Sequence, residues 1–152
     1  MNYIDMIRSI AGSRPLILTA CAVFILDEQG RVLLQHRTDT DNWGVPGGFM
    51  EMGESVEEAA RREILEETGL TVGKMSLYTV FSGEEFYFKY PNGDEVYNVI
   101  VTFMSKDVSG KLQADHEGKD LRYFPLDALP EEMIPTSRRM LEQLRKDPSL
   151  PR

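Results

Sequence analysis

Residues Gly48–Leu70 read GFMEMGESVEEAARREILEETGL, and the fold is decided by how this stretch winds. Ser55 is a good helix N-cap, with Glu58 three residues on, where a capping box wants a carboxylate. Gly69 suits the left-handed position that closes a helix. The two ends therefore predict a helix over residues 56–68. At about 100° per residue, Val56, Ala59 and Ala60 share one face with Glu63, Glu66 and Glu67. Glu57, Glu58, Arg61 and Arg62 point elsewhere. The core-facing side thus begins apolar and ends in three carboxylates. Clustered, partly buried anions repel one another and lose hydration unless something pairs with them. Arg62 can reach Glu66 by an i,i+4 contact, and Glu54 adds a further acid just before the helix. Hard divalent cations, Mg²⁺ or Mn²⁺, are the natural missing charge. The competing reading is a solvated helix laced with salt bridges, and the phase of the pattern argues against it.

The spacing carries a resemblance. Gly48, Glu54, Arg62-Glu63-Ile64, Glu66-Glu67 and Gly69-Leu70 are nine positions over 23 residues. They match the box of the Nudix hydrolase family (MutT-like) at every specified place, after a Trp43-Gly44-Val45-Pro46-Gly47 lead-in similar to the family's own. The resemblance implies a single Nudix domain over residues 1–152 with its box at 48–70. It implies an α/β fold, a mixed β-sheet sandwiched between helices. It also implies a divalent-metal-dependent pyrophosphatase that cleaves a phosphoanhydride bond in a nucleoside diphosphate linked to another group. Glu63, Glu66, Glu67 and the Gly47 carbonyl would ligate the metal. Glu63 would be the general base, with Glu117 its rival. Arg62 would orient the carboxylates, and Gly48, Glu54 and Gly69 would support the box. Many relatives carry another acid in a later loop as a metal ligand or base, where Glu117 is the best match and Asp115 the next. Arg37 is a candidate contact for a substrate phosphate.

Around the box, residues 3–10 place Tyr3, Ile7 and Ile10 at helical spacing. Residues 16–26 form an apolar run suited to a central strand. Residues 31–37 read as its return after the Asp27–Gly30 turn, and the pair resembles the family's first hairpin. Residues 71–82 read as a strand interrupted at Gly73. Residues 85–90 alternate, Pro91-Asn92-Gly93-Asp94 signals a hairpin, and 95–104 returns as a long strand. Ser109-Gly110 reads as a turn, 121–124 as a short strand and 135–146 as a closing helix. Aromatic residues of the hairpin are core candidates, with Tyr97 able to stack on a base.

The formal net charge of −8 over 152 residues opposes a nucleic-acid track, which needs a basic footprint. Small phosphorylated substrates stay compatible with it. Cys21 is the only cysteine, so no intramolecular disulfide forms. No apolar run reaches a membrane span, and no secretory leader pattern opens the chain. A cytoplasmic location is the expectation, and the amphipathic start with its surplus of aromatics suggests a homodimer. Candidate substrates are oxidised nucleoside triphosphates, ADP-ribose or other nucleotide sugars, dinucleoside polyphosphates and capped RNA ends. Two other functions fit the same resemblance: a nucleotide-sensing module without turnover, and an RNA 5′-end pyrophosphohydrolase. Structural binding of divalent ions by an acidic domain is a third.

Overall fold

Strand β1 (Leu16–Ile25) organises the computed structural model, which describes residues 2–114 and 118–149. Its alternation sends Ala22 and Phe24 to one face and Cys21, Val23 and Ile25 to the other, all buried. On the first face they meet Met140, Leu141 and Leu144 of α3 (Pro135–Lys146). On the second they meet Ala59, Ala60 and Ile64 of α2 (Val56–Thr68). A strand apolar on both faces is thereby covered on both, which is the expected α/β/α sandwich. Along β1 run β4 (Gly47–Phe49), antiparallel, and β8 (Glu95–Ser105), parallel over ten residue pairs. The far side of β8 takes β6 (Ser76–Phe81) and β7 (Tyr87–Lys89), both antiparallel. A second sheet pairs β2 (Val32–Arg37) with β10 (Gly118–Phe124) and β3 (Trp43–Gly44). Helix α1 (Tyr3–Ala11) lies outside, with no buried residue.

Helix α2 has the predicted ends. The Ser55 hydroxyl accepts from the Glu58 N–H at 3.1 Å. Gly69 closes the helix at φ 79°, where an added Cβ would stand 2.7 Å from the Lys111 carbonyl. Helix α3 also spans its predicted 135–146, opening on Pro135 without a side-chain cap. Among the described residues no helix is long and apolar enough to cross a membrane.

Three expectations change. β1 and β2 are not a hairpin: their backbones pair only at the Leu26–Val32 bridge and then enter different sheets. The physical reason is β4, which pairs Ala20–Ala22 and uses the hydrogen bonds that a returning β2 would need. Residues 84–86 form a 3₁₀ turn that buries Phe86, so the alternation becomes strand only at Tyr87. The expected turn at Ser109-Gly110 belongs to β9 (Val108–Gly110), which pairs with β5 (Leu70–Val72). The break at Gly73 holds: its N–H donates to the Asp107 carbonyl at 2.7 Å, and a Cβ there would strike the Asp107 carboxylate.

Candidate active site

The site is built where β4 passes the last turns of α2. Gly47 and Gly48 face Ala22 and Cys21 of β1. Gly47 must be glycine on steric grounds, and a side chain on Gly48 would displace the Glu63 carboxylate. A Cβ on Gly47 would lie 2.2 Å from the Cys21 carbonyl, and one on Gly48 would lie 2.5 Å from the Glu63 carboxylate. This closeness lets the Gly47 N–H donate to Glu67 Oε2 at 3.0 Å.

Glu67 is 2% exposed and shares a hydrogen bond with Glu63. Burial, and then the Glu63 charge, hold its carboxyl well above the usual carboxylate range against the opposing pull of Arg37 and the Gly47 N–H. Burial also raises Glu63, less strongly, because Arg62 favours its charged form. Burial and mutual repulsion thus favour the protonated form at both groups, more strongly at Glu67.

Arg62 spends its guanidinium on protein. Nε and Nη2 fork onto Glu54 at 2.5 and 2.9 Å. Nη1 donates to Glu63 at 2.8 Å and Glu66 at 3.3 Å, and Nη2 reaches the Phe49 carbonyl at 3.2 Å. The expected i,i+4 contact is present, but Glu54 is the main partner, and its hydrogen bond from Arg62 lowers the Glu54 pKa. Glu54 thus ties the loop to the helix. Glu66 is the outlier of the predicted face: its side chain is 57% exposed, about 100° round the helix from the buried Glu67. Among the described residues, no three His, Cys, Asp or Glu side chains converge as a preformed metal cage. Arg62 instead gathers Glu54, Glu63 and Glu66 around its guanidinium. Glu117, like Asp115 and His116, lies outside the described residues.

From Glu63 and Glu67 a cleft of about 310 Å³ opens along the α3 side of the sheet. Arg37 lines it, forked onto Asp39 at 2.9 and 3.0 Å, near Glu67 and Tyr90. Beyond Arg37 come Phe88 and Tyr90, their rings edge to face with centroids 4.8 Å apart. Asn98, Ile100, Thr136 and Met140 complete that end. Tyr97, the stacking candidate, instead points to the other sheet face and packs beside Tyr87. Sequence reasoning missed Tyr90, Asn98 and Thr136. Only Asn98, a polar residue within an apolar strand run, left a local signal.

Two facing glycines, a buried carboxyl pair, an arginine clasp and an adjoining nucleotide-sized cleft define a class, and comparison with known proteins gives the same class. Residues 16–144 match the family model described as NUDIX domain. An ADP-ribose pyrophosphatase of Methanocaldococcus jannaschii is 36% identical over 109 residues, 70% of this chain and 61% of that protein. A putative 8-oxo-dGTP diphosphatase of Bacillus subtilis is 33% identical over 124 residues, 81% of this chain and 76% of that one. The crystal structure of a MutT NUDIX hydrolase from Burkholderia pseudomallei superposes with a TM-score of 0.71 at 29% identity, covering 85% of this chain and 98% of that chain. The chain belongs to the Nudix hydrolase family.

Proposed function

We propose that this chain hydrolyses a phosphoanhydride bond in a small nucleotide, a nucleoside triphosphate or an ADP-ribose-like diphosphate, with Mg²⁺ or Mn²⁺. The observation that carries the reading is the buried Glu63–Glu67 pair against Gly47-Gly48. Two carboxyl groups crowded together and largely out of water are a donor set short of positive charge, and a divalent cation fits that deficit. Glu63, Glu66, Glu67 and the Gly47 carbonyl would hold the ion, with Glu117 a further ligand. When bound, it neutralises phosphate oxygens and lowers the pKa of a bound water.

The remaining roles fall to the chain itself. Glu63, fixed by Arg62, takes the proton of the attacking water. The water oxygen bonds to phosphorus, and the bridging oxygen leaves with the displaced phosphate. Arg62 has no donor left for substrate, so it orients carboxylates. Arg37, braced by Asp39, faces the phosphates. We read the chain as one cytoplasmic domain over 1–152. Exposed Ile17, Leu77 and Tyr97 suit a homodimer, which light scattering finding only monomer at high concentration would remove.

The experiment is a nucleotide panel set against a 5′-triphosphorylated RNA of about twenty nucleotides, with products identified, with Mg²⁺ and with a chelator. Metal-dependent cleavage of a small nucleotide is expected. No cleavage of anything would favour a sensing module. A tenfold preference for the RNA, about 1.4 kcal/mol, would favour RNA-end processing.

A further inference from the structure

The cleft floor carries a polar group that the reaction does not use. Asn98 is 8% exposed and sits in β8 between Val96 and Ile100, on the same sheet face as both. A buried amide needs partners at both ends. One end has a partner: Nδ2 donates to the Phe86 carbonyl at 3.0 Å. That bond fixes which way the amide faces. Asn98 lines the cleft, and no donor to its Oδ1 is present among the described residues. Holding Phe86 explains the nitrogen and leaves the oxygen unexplained.

The position fits a ligand. Asn98 pairs with Leu18, four residues along β1 from Ala22, which faces Gly47. The offset is about 13 Å at strand rise, close to the reach from a nucleotide's second phosphate to the far edge of its base. Phe88, Tyr90, Ile100 and Met140 give this end the apolar walls that a flat ring needs. Thr136, a residue 8% exposed, lines the same end with a hydroxyl.

We infer that Asn98 reads the base: its Oδ1 is a fixed acceptor for an exocyclic amino group, so the cleft selects amino-bearing nucleobases. The inference rests on the nucleotide reading above and adds the base class to it.

The test uses nucleotides that differ by one amino group, adenosine against purine riboside and guanosine against inosine. Triphosphates are compared by kcat/KM and monophosphates by calorimetric Kd. The wild-type chain is expected to favour the amino member of at least one pair by about tenfold or more. Asn98→Leu is expected to bring that ratio to within about threefold, and Asn98→Ala serves the same purpose should the leucine variant not fold. Asn98→Asp keeps an acceptor but loses the donor to Phe86, and is expected to keep the preference. A purely structural asparagine would instead lower every substrate alike. The inference is overturned by equal treatment of both pairs, by a preference that survives Asn98→Leu, or by no binding of any nucleotide. Hydrolysis without an Asn98-dependent ratio sinks this inference alone, whereas Asn98-dependent binding without hydrolysis sinks the proposed reaction alone.

Discussion

Helices α1 and α2 obey the same local rules and are held in opposite ways. Each begins on a polar cap, Asn2 or Ser55, and ends on a glycine at positive φ, Gly12 or Gly69. Helix α2 buries Ala59, Ala60, Ile64, Glu67 and Thr68 against the sheet. Helix α1 is latched by hydrogen bonds instead. The Tyr3 N–H donates to Glu51 at 2.8 Å. Arg8 donates to the carbonyls of Gly12, Arg14 and Glu95, with Asp94 beside it. Both reach the cleft, α2 through Glu63 and Glu67 and α1 through Asn2 and Ile4. The difference separates two tasks: side-chain burial fixes the carboxylates to the core, while a polar latch holds a wall that can be loosened without unfolding the rest.

Breaking the α2 side should cost most. Glu66→Gln or Glu67→Gln is expected to lower turnover at least ~100-fold while the fold survives. Near-wild-type rates at low Mg²⁺ would refute the ligand assignment. Gly48→Ala comes next, because its Cβ must displace the Glu63 carboxylate. About a tenfold loss of kcat is expected, with Tm down by several degrees at roughly 2–4 °C per kcal/mol. Unchanged kcat would mean that Glu63 tolerates displacement.

The stability of the metal-free protein should depend on pH through Glu67. Its folded pKa is raised, so the fold favours the protonated form. That contribution is complete below the unfolded value of about 4.3 and is lost as pH rises through the folded one. Tm should therefore fall over that rise, Mg²⁺ should restore it at neutral pH, and Glu67→Gln should flatten the curve. A Tm indifferent to Mg²⁺ at pH 7 would count against this. The smallest effect belongs to α1. Arg8→Met removes the latch, and KM is expected to rise about three- to tenfold with kcat within about twofold. An unchanged KM would show that α1 is no part of the substrate wall.

What the sequence disclosed follows the same division. The ends of α2 and α3 were legible because caps, glycine and Pro135 act within a turn of the chain. Glu63 and Glu67 were legible by phase, whereas Glu66 stands at the edge of the same arc, about 100° from Glu67, and phase alone did not mark it as exposed. The separation of β1 from β2 was hidden because its cause, β4, is a three-residue Gly-Gly-Phe segment with no strand preference. The cleft wall was hidden too. Asn98, Tyr90 and Thr136 come together only through pairings between distant strands and a helix, which no local pattern encodes.

The parallel β1–β8 ladder has a consequence for the order in which the protein is made. Each β1 residue pairs with one 80 places later, Leu16 with Val96 and Ile25 with Ser105. At about 5–20 residues per second, the ribosome leaves LILTACAVFI without this partner for several seconds. During that wait α2 has its own caps, yet the sheet it docks on has not closed. Loop closure over such a distance is slow, and an apolar strand with open edges is a template for aggregation. Substitutions that delay β8 should therefore lower soluble yield from the ribosome well before they lower the melting temperature of the finished protein.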